Sequence, residues 1–260
     1  MKKNLFSMLV ISVLALAFVG CANPAGGSYP AKYTVGDIIL NDGSKVNYET
    51  AKTFTGSDLD GLKSKAIAVI FRADTASKKA LGVGLKHDQS GRVWCISDAK
   101  AYDKNIETIK CPASGDAGNL TFTDDTDGSD NLEQIASFLT EKGLTDDTTG
   151  TDADTRYPAF YFAKNYKTTA TNLTSAYENG WYLPTVAELF DIWKVKATVD
   201  GASNLCGGSQ FDTNVYWSSS QSQSASVNSF ADLLGFGRGA VTSLFKDANG
   251  FYVCAVRAFN

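Results

Sequence analysis

The chain has 260 residues, 43% hydrophobic and 20% charged, with 24 basic and 28 acidic side chains and a formal net charge of −4. This is an ordinary globular composition at a length that allows one large domain or two small ones. Mild acidity with no basic run gives no support to nucleic-acid binding, so no nucleic-acid partner is expected.

The N-terminus reads as a processing signal. Lys2 and Lys3 form a positive start, and Leu5 to Val19 is an apolar run, shorter than the roughly 20 residues a spanning helix needs. It ends in Phe18-Val19-Gly20-Cys21. A small residue before Cys at the end of such a run looks like a bacterial lipobox, with Phe18 where Leu is usual. Residues 1–20 are therefore expected to be a lipoprotein signal peptide and Cys21 the lipidated residue, rather than an ordinary secretory signal beside a free Cys. Removing residues 1–20 deletes Lys2 and Lys3 and leaves 22 basic against 28 acidic residues, net −6. Residues 21–32 are rich in Pro, Gly, Ser and Ala, as a flexible tether would be. An acyl anchor on Cys21 would hold the protein on a membrane, expected at the outer-membrane surface, without a spanning helix.

Four other cysteines remain: Cys95, Cys111, Cys206 and Cys254. In an exported protein they allow three disulfide pairings or four free thiols, and sequence does not choose. No Cys-x-x-Cys is present, and the single histidine, His87, lies in a polar Lys-His-Asp stretch that reads as surface. No metal centre and no cofactor is expected.

Val35 to Ser44 reads as a strand entering a hairpin at Asp42-Gly43. Ala66 to Phe71 is a continuous apolar run, the pattern of a buried strand. Leu81–Leu85 and Arg92–Ile96 are further strand candidates. Thr121 to Asp130 carries Asp124, Asp125, Asp127 and Asp130. It reads as a solvated loop feeding a helix, not a cation loop, because its spacing misses the EF-hand pattern. Asp130 to Glu133 has capping-box spacing, Leu132, Ile135, Ala136 and Leu139 share a face, and Gly143 ends the helix. A second polar loop, Asp146–Thr155, precedes an aromatic-dense short helix or turn, Tyr157–Tyr166. Thr185 and Glu188 form a capping box for a helix with Leu189, Ile192 and Trp193 on its apolar stripe. Asp232 to Gly237 alternates, Asn249-Gly250 signals a second hairpin, and Phe251 to Phe259 reads as one central strand. Arg257 interrupts that strand. A buried arginine needs a partner, and Glu188 is the natural candidate, so a structural ion pair Glu188–Arg257 is expected. No linker appears beyond the tether, so 33–260 is read as one domain.

The most distinctive region runs from Gly180 to Phe259. Gly180-Trp181-Tyr182-Leu183-Pro184-Thr185-x-x-Glu188, Tyr216-Trp217-Ser218-Ser219-Ser220 and Val256-Arg257-Ala258-Phe259 frame a middle segment rich in Ser, Gly and Ala. Together they resemble the C-type-lectin-type fold in its formylglycine-generating-enzyme branch. More closely, they resemble the variable proteins that retroelements diversify in bacteria and phage, and with the lipobox the treponemal variable surface lipoproteins of that family. The resemblance covers roughly the whole chain after the signal peptide. It implies an α+β, C-type-lectin-like fold with small antiparallel sheets, two main helices and long loops. It also implies a variable region at about 210–259 displaying a hypervariable ligand-binding site, without enzymatic activity, for an unknown macromolecular partner, protein or glycan. Diversified Asn-type codons do not reach Lys, Glu, Gln, Met or Trp. From Ser222 to Phe245 the chain has none of these except Gln223. Alternation sends Leu234 and Phe236 to the core and leaves Leu233, Gly235 and Gly237 facing outward, with Arg238 and Ala240 around the turn. Asn228, Phe230 and Asp232 lie in the approach, and Asp212, Thr213 and Asn214 rim the same surface. Two other readings stand beside this one. A formylglycine-generating-type enzyme would need a reactive cysteine pair, for which no motif is found. A calcium-dependent sugar-binding lectin would need clustered carboxylates such as a Glu-Pro-Asn loop, which is lacking.

Overall fold

A computed structural model describes residues 30–170, 172–224 and 227–260. Residues 1–20, read as a signal peptide, Cys21 and most of the expected tether lie outside the described residues. The fold is α+β, built from a six-stranded sheet, a five-stranded sheet and a small hairpin, with seven α-helices among the described residues.

The Asp42-Gly43 turn joins β1 (Asp37–Leu40) to β2 (Lys45–Asn47) as an antiparallel hairpin, with Gly43 at φ +86 supplying the left-handed turn. A one-turn helix α1 (Tyr48–Ala51) and a longer α2 (Gly56–Lys65) follow. The apolar run forms β3 (Ala66–Arg72), which pairs with β1 and with β4 (Ala80–Gly84). The sheet order is β2-β1-β3-β4-β13-β8, closed by β8 (Trp181–Tyr182) and β13 (Val256–Phe259). The second sheet orders as β11-β10-β9-β12-β5, from β5 (Asp88–Arg92), β9 (Val215–Gln221), β10 (Phe230–Gly235), β11 (Ala240–Phe245) and β12 (Phe251–Val253). β6 (Ala113–Asp116) and β7 (Asn119–Phe122) make the separate hairpin.

Two apolar clusters hold these layers together. One gathers Trp94, Tyr157, Phe160, Tyr166, Trp181 and Trp217. The other gathers Val69, Leu189, Phe211, Tyr216, Leu234 and Phe236. Alternate residues of β3 serve both: Ala68 and Ile70 belong to the first, Val69 and Phe71 to the second.

The amphipathic pattern from Leu132 forms α3 (Asn131–Glu141), and Gly143 follows it at φ +68. The predicted Asp130 cap is not made. Asp127 accepts from the Ser129 N–H instead, and Asp130 accepts from Gln134 Nε2. The aromatic stretch forms α5 (Pro158–Lys164), whose Phe160 ring meets Trp94 edge-on at 4.8 Å. The second polar loop is half helical, because α4 (Gly150–Arg156) occupies its end. With α6 (Val186–Lys194) and α7 (Lys196–Leu205), the helices exceed the two main ones expected. α2 and α7 carry Gly, Ser and Thr inside, so their apolar faces are thin, and tertiary packing of Leu62, Val199 and Ala202 decides them.

Three strand expectations shift. Arg92–Ile96 is displaced to β5, and Val93–Ile96 leaves the sheet, with Trp94 buried. The turn after β11 falls at Lys246-Asp247, with Gly250 in a bend at φ +90, and β12 pairs in parallel with β9 and antiparallel with β5, not with β11. The last run is two strands in two sheets, with Cys254-Ala255 crossing between them.

Candidate functional site

The capping box of α6 forms as the residues predict. The Thr185 hydroxyl accepts from the Glu188 N–H at 3.2 Å, and the Glu188 carboxylate takes the Thr185 N–H at 2.9 Å. Glu188 also accepts from the Tyr182 hydroxyl at 2.8 Å and from the Gly128 N–H at 3.3 Å. Burial pushes its pKa up to about 7. Its acceptors are thereby used within the frame.

The expected Glu188–Arg257 pair is absent. Arg257 Nε donates to the Asn179 carbonyl at 2.8 Å and Nη2 to the Ala176 carbonyl at 3.0 Å. Its guanidinium lies 4.9 Å from the Tyr177 ring centre and 5.3 Å from that of Phe259. Arg257 is only partly buried, so carbonyls and ring faces suffice where a fully buried charge would need a carboxylate.

The Tyr-Trp-Ser-Ser-Ser strand is also frame. Ser218 donates to the Asp232 carbonyl, Ser219 accepts from Asn131 Nδ2, and Ser220 accepts from the Val186 N–H at the start of α6. Trp217 Nε1 donates to the Arg92 carbonyl, and the Tyr216 hydroxyl meets His87 Nδ1 at 2.8 Å. His87 is therefore not a surface residue. It is buried against Phe211, and desolvation lowers its pKa to about 3.

The predicted ligand residues fall on one hairpin, β10–β11, with the register Phe230↔Phe245 through Gly235↔Ala240. Its middle is closed to ligand. Leu233 was expected outward, but it is fully buried in the first cluster while Leu234 is buried in the second. Alternation holds, but both faces of β10 are covered. Asp232 is buried too. Its carboxylate accepts from the Ser243 hydroxyl at 2.6 Å, and burial raises its pKa to about 6.

The two ends of the hairpin are open. At the tip Gly237 and Arg238 are exposed, as are Asp212 and Thr213. They are neighbours: a Cβ on Gly237 would sit 3.6 Å from Thr213 Cβ, and the Phe236 N–H donates to the Asn214 carbonyl. Gly235 and Ala240 are half-buried flanks. Gly239 lies at φ +62, and a Cβ there would fall 2.6 Å from the Trp193 ring. Only glycine fits, which fixes how Arg238 is presented.

At the other end Asn228 and Phe230 are partly exposed. Phe230 packs edge-to-face at 4.5 Å on Phe245, which is 51% exposed. Sequence reading missed Phe245; pairing the strands about the Gly237-Arg238-Gly239 turn would have set it opposite Phe230. Six residues per strand separate the tip from this end by roughly 17–20 Å. The predicted set is two patches joined by a buried strand.

All four described cysteines are buried and unpaired. Burial raises every thiol, Cys111 to about 12 and Cys206 to about 11. Among the described residues no group of three or more His, Cys, Asp or Glu is placed to hold a metal ion, and no helix is long and apolar enough to cross a membrane.

No family model matches the chain, and no curated protein does. Among solved structures, a fimbrial protein from Bacteroides ovatus superposes with a TM-score of 0.55 at 13% identity. The match covers 87% of this chain and 49% of that one, so the chain spans about half the length of that protein. The two share a fold.

Proposed function

We propose that the protein is a surface-anchored lipoprotein displaying a hypervariable, retroelement-diversified site that binds a macromolecular partner, protein or glycan, and does not catalyse a reaction. In this reading the fold is C-type-lectin-like, Cys21 carries the lipid, and the protein stands on the outer-membrane surface. The observation that carries the proposal is the contrast along one hairpin. Its structural residues are locked in, while both ends present side chains that nothing in the fold requires. Phe245 is exposed on β11, an edge strand with no outer neighbour among the described residues. Aromatic residues beside a free edge suit protein recognition. Likeness to a protein named fimbrial supports a place at the cell surface. The buried thiols, held protonated, weigh against the reactive cysteine pair that a formylglycine-generating-type enzyme would need.

The test compares the coding region with neighbouring template repeats. Differences are expected at positions that are adenine in the template repeat, within the codons for Asp212, Thr213, Asn228, Phe230, Arg238 and Phe245. Asp232, Leu233 and Leu234 are expected to be constant. Lack of a template repeat, or changes spread evenly over buried and exposed codons, would refute the proposal.

A further inference from the structure

A cleft of about 680 Å³ opens away from the β10–β11 hairpin, between β4, β8, β13 and the start of α3. None of the residues proposed above for recognition lines it. Its volume is that of small-molecule sites. Leu81, Leu132, Phe160, Trp181 and Leu183 form an apolar floor, and each is buried by the fold itself.

The rim is cationic. Arg72, Lys78, Lys79 and Lys164 face Asp127 and Glu133. Glu133 is taken up by Lys164 at 2.8 Å. Lys78 and Lys79 sit side by side on the β3–β4 loop, and neither ammonium has an ion-pair partner among the described residues. Arg72 touches Asp191 through Nη1 at a long 3.4 Å, and its Nε–H is buried without an acceptor. That Nε–H is closed to solvent, so a ligand would meet the partly exposed end of the guanidinium, whose planar fork matches a carboxylate.

We propose that this cleft is a second binding site, for a small ligand carrying a carboxylate on an apolar or sugar body, with Arg72 as the anchor and Lys78 and Lys79 as the charge-complementary rim. An acidic sugar and an acidic amino-acid side chain share that chemistry. The site is built from Trp181, Tyr182 and Leu183, the opening motif of the frame, so it would stay constant while the hairpin ends vary.

Titration of the detergent-solubilised full chain with N-acetylneuraminic acid, N-acetyl-L-glutamate and neutral N-acetylglucosamine tests this by ligand-observed NMR. At least one acidic probe is expected to saturate and the neutral sugar not; which acid binds distinguishes the two sources. Arg72→Met and the double change Lys78→Glu with Lys79→Glu are each expected to weaken that binding tenfold or more, with Phe245→Ser unchanged. The lysine pair is exposed, so it decides the outcome if Arg72→Met fails to fold. Failure of both acids to saturate, equal binding of the neutral sugar, or unchanged affinity in the lysine variant would overturn the proposal.

Discussion

His87 provides a direct test of how the second core is built. Its ring sits against Phe211 at 4.5 Å, shares a hydrogen bond with the Tyr216 hydroxyl, and leaves Nε2 buried without a partner. Burial holds its pKa at about 3, against 6.5 for a free histidine. The folded protein therefore refuses a proton that the unfolded chain accepts below pH 6.5. Stability from this group is fully present above that pH and is lost as pH falls toward 3. Each pH unit costs about 1.4 kcal/mol, so going from pH 7.5 to pH 5 should cost about 2 kcal/mol. The buried carboxylates Glu188, Asp232 and Asp125, with raised pKa values, act in the opposite direction. They are common to the protein and to its His87→Gln variant, so their contribution cancels in the difference between the two. Urea unfolding followed by tryptophan fluorescence at pH 7.5, 6.5, 5.5 and 5.0 gives that difference. The variant should start less stable and should lose about 2 kcal/mol less on acidification. Parallel pH curves for the two proteins would refute the buried, neutral histidine.

Leu233→Ala should destabilise the protein by about 3–5 kcal/mol, and Arg238→Ala should change stability by less than about 0.5 kcal/mol, both by denaturant melts. Equal effects would mean that the hairpin does not divide into a core strand and a free tip. Gly239→Ala should cost about 2 kcal/mol or more in the same melts, since it strains a positive φ and drives a methyl into Trp193. Glu188 keeps its proton in the folded state up to about pH 7, so its contribution is present below pH 4.5 and lost as pH rises through 7. Glu188→Gln, which cannot ionise, should therefore gain about 3 kcal/mol relative to the parent protein between pH 4.5 and pH 8; no gain would mean that Glu188 is charged in the fold.

What could be read from the sequence was local. The Asp42-Gly43 hairpin, the buried strand from Ala66, the helix from Leu132 and the Thr185–Glu188 capping box each depend on residues a few positions apart. The errors share one cause, that partners distant in sequence decide burial. His87 sits in a polar tripeptide, yet Phe211 and Tyr216 arrive from more than 120 positions away to enclose it. Arg257 is expected from its strand to be buried with a charge partner, but it is only partly buried and its donors are met by the Ala176 and Asn179 carbonyls, which no residue pattern announces because every residue has a carbonyl. The reading of Leu233 had the period right and the environment wrong. Two-residue alternation says which side chains share a face, not whether the opposite face is wet.

That last error alters what a variable site on this fold can be. A strand buried on both faces cannot carry free substitutions along its length, because Leu233, Leu234 and the Ser243–Asp232 hydrogen bond are each tied to packing. On the proposed reading, diversity would be confined to the ends, where Gly237 meets Thr213 and where Phe230 meets Phe245. Two patches roughly 17–20 Å apart are too far for one small molecule to bridge and close enough for one protein surface to cover, since a standard interface spans about 800 Å² per partner. A macromolecular partner is therefore favoured for the hairpin by its spacing, just as a small acidic ligand is favoured for the cleft by its volume and by the unpaired Lys78 and Lys79 on its rim.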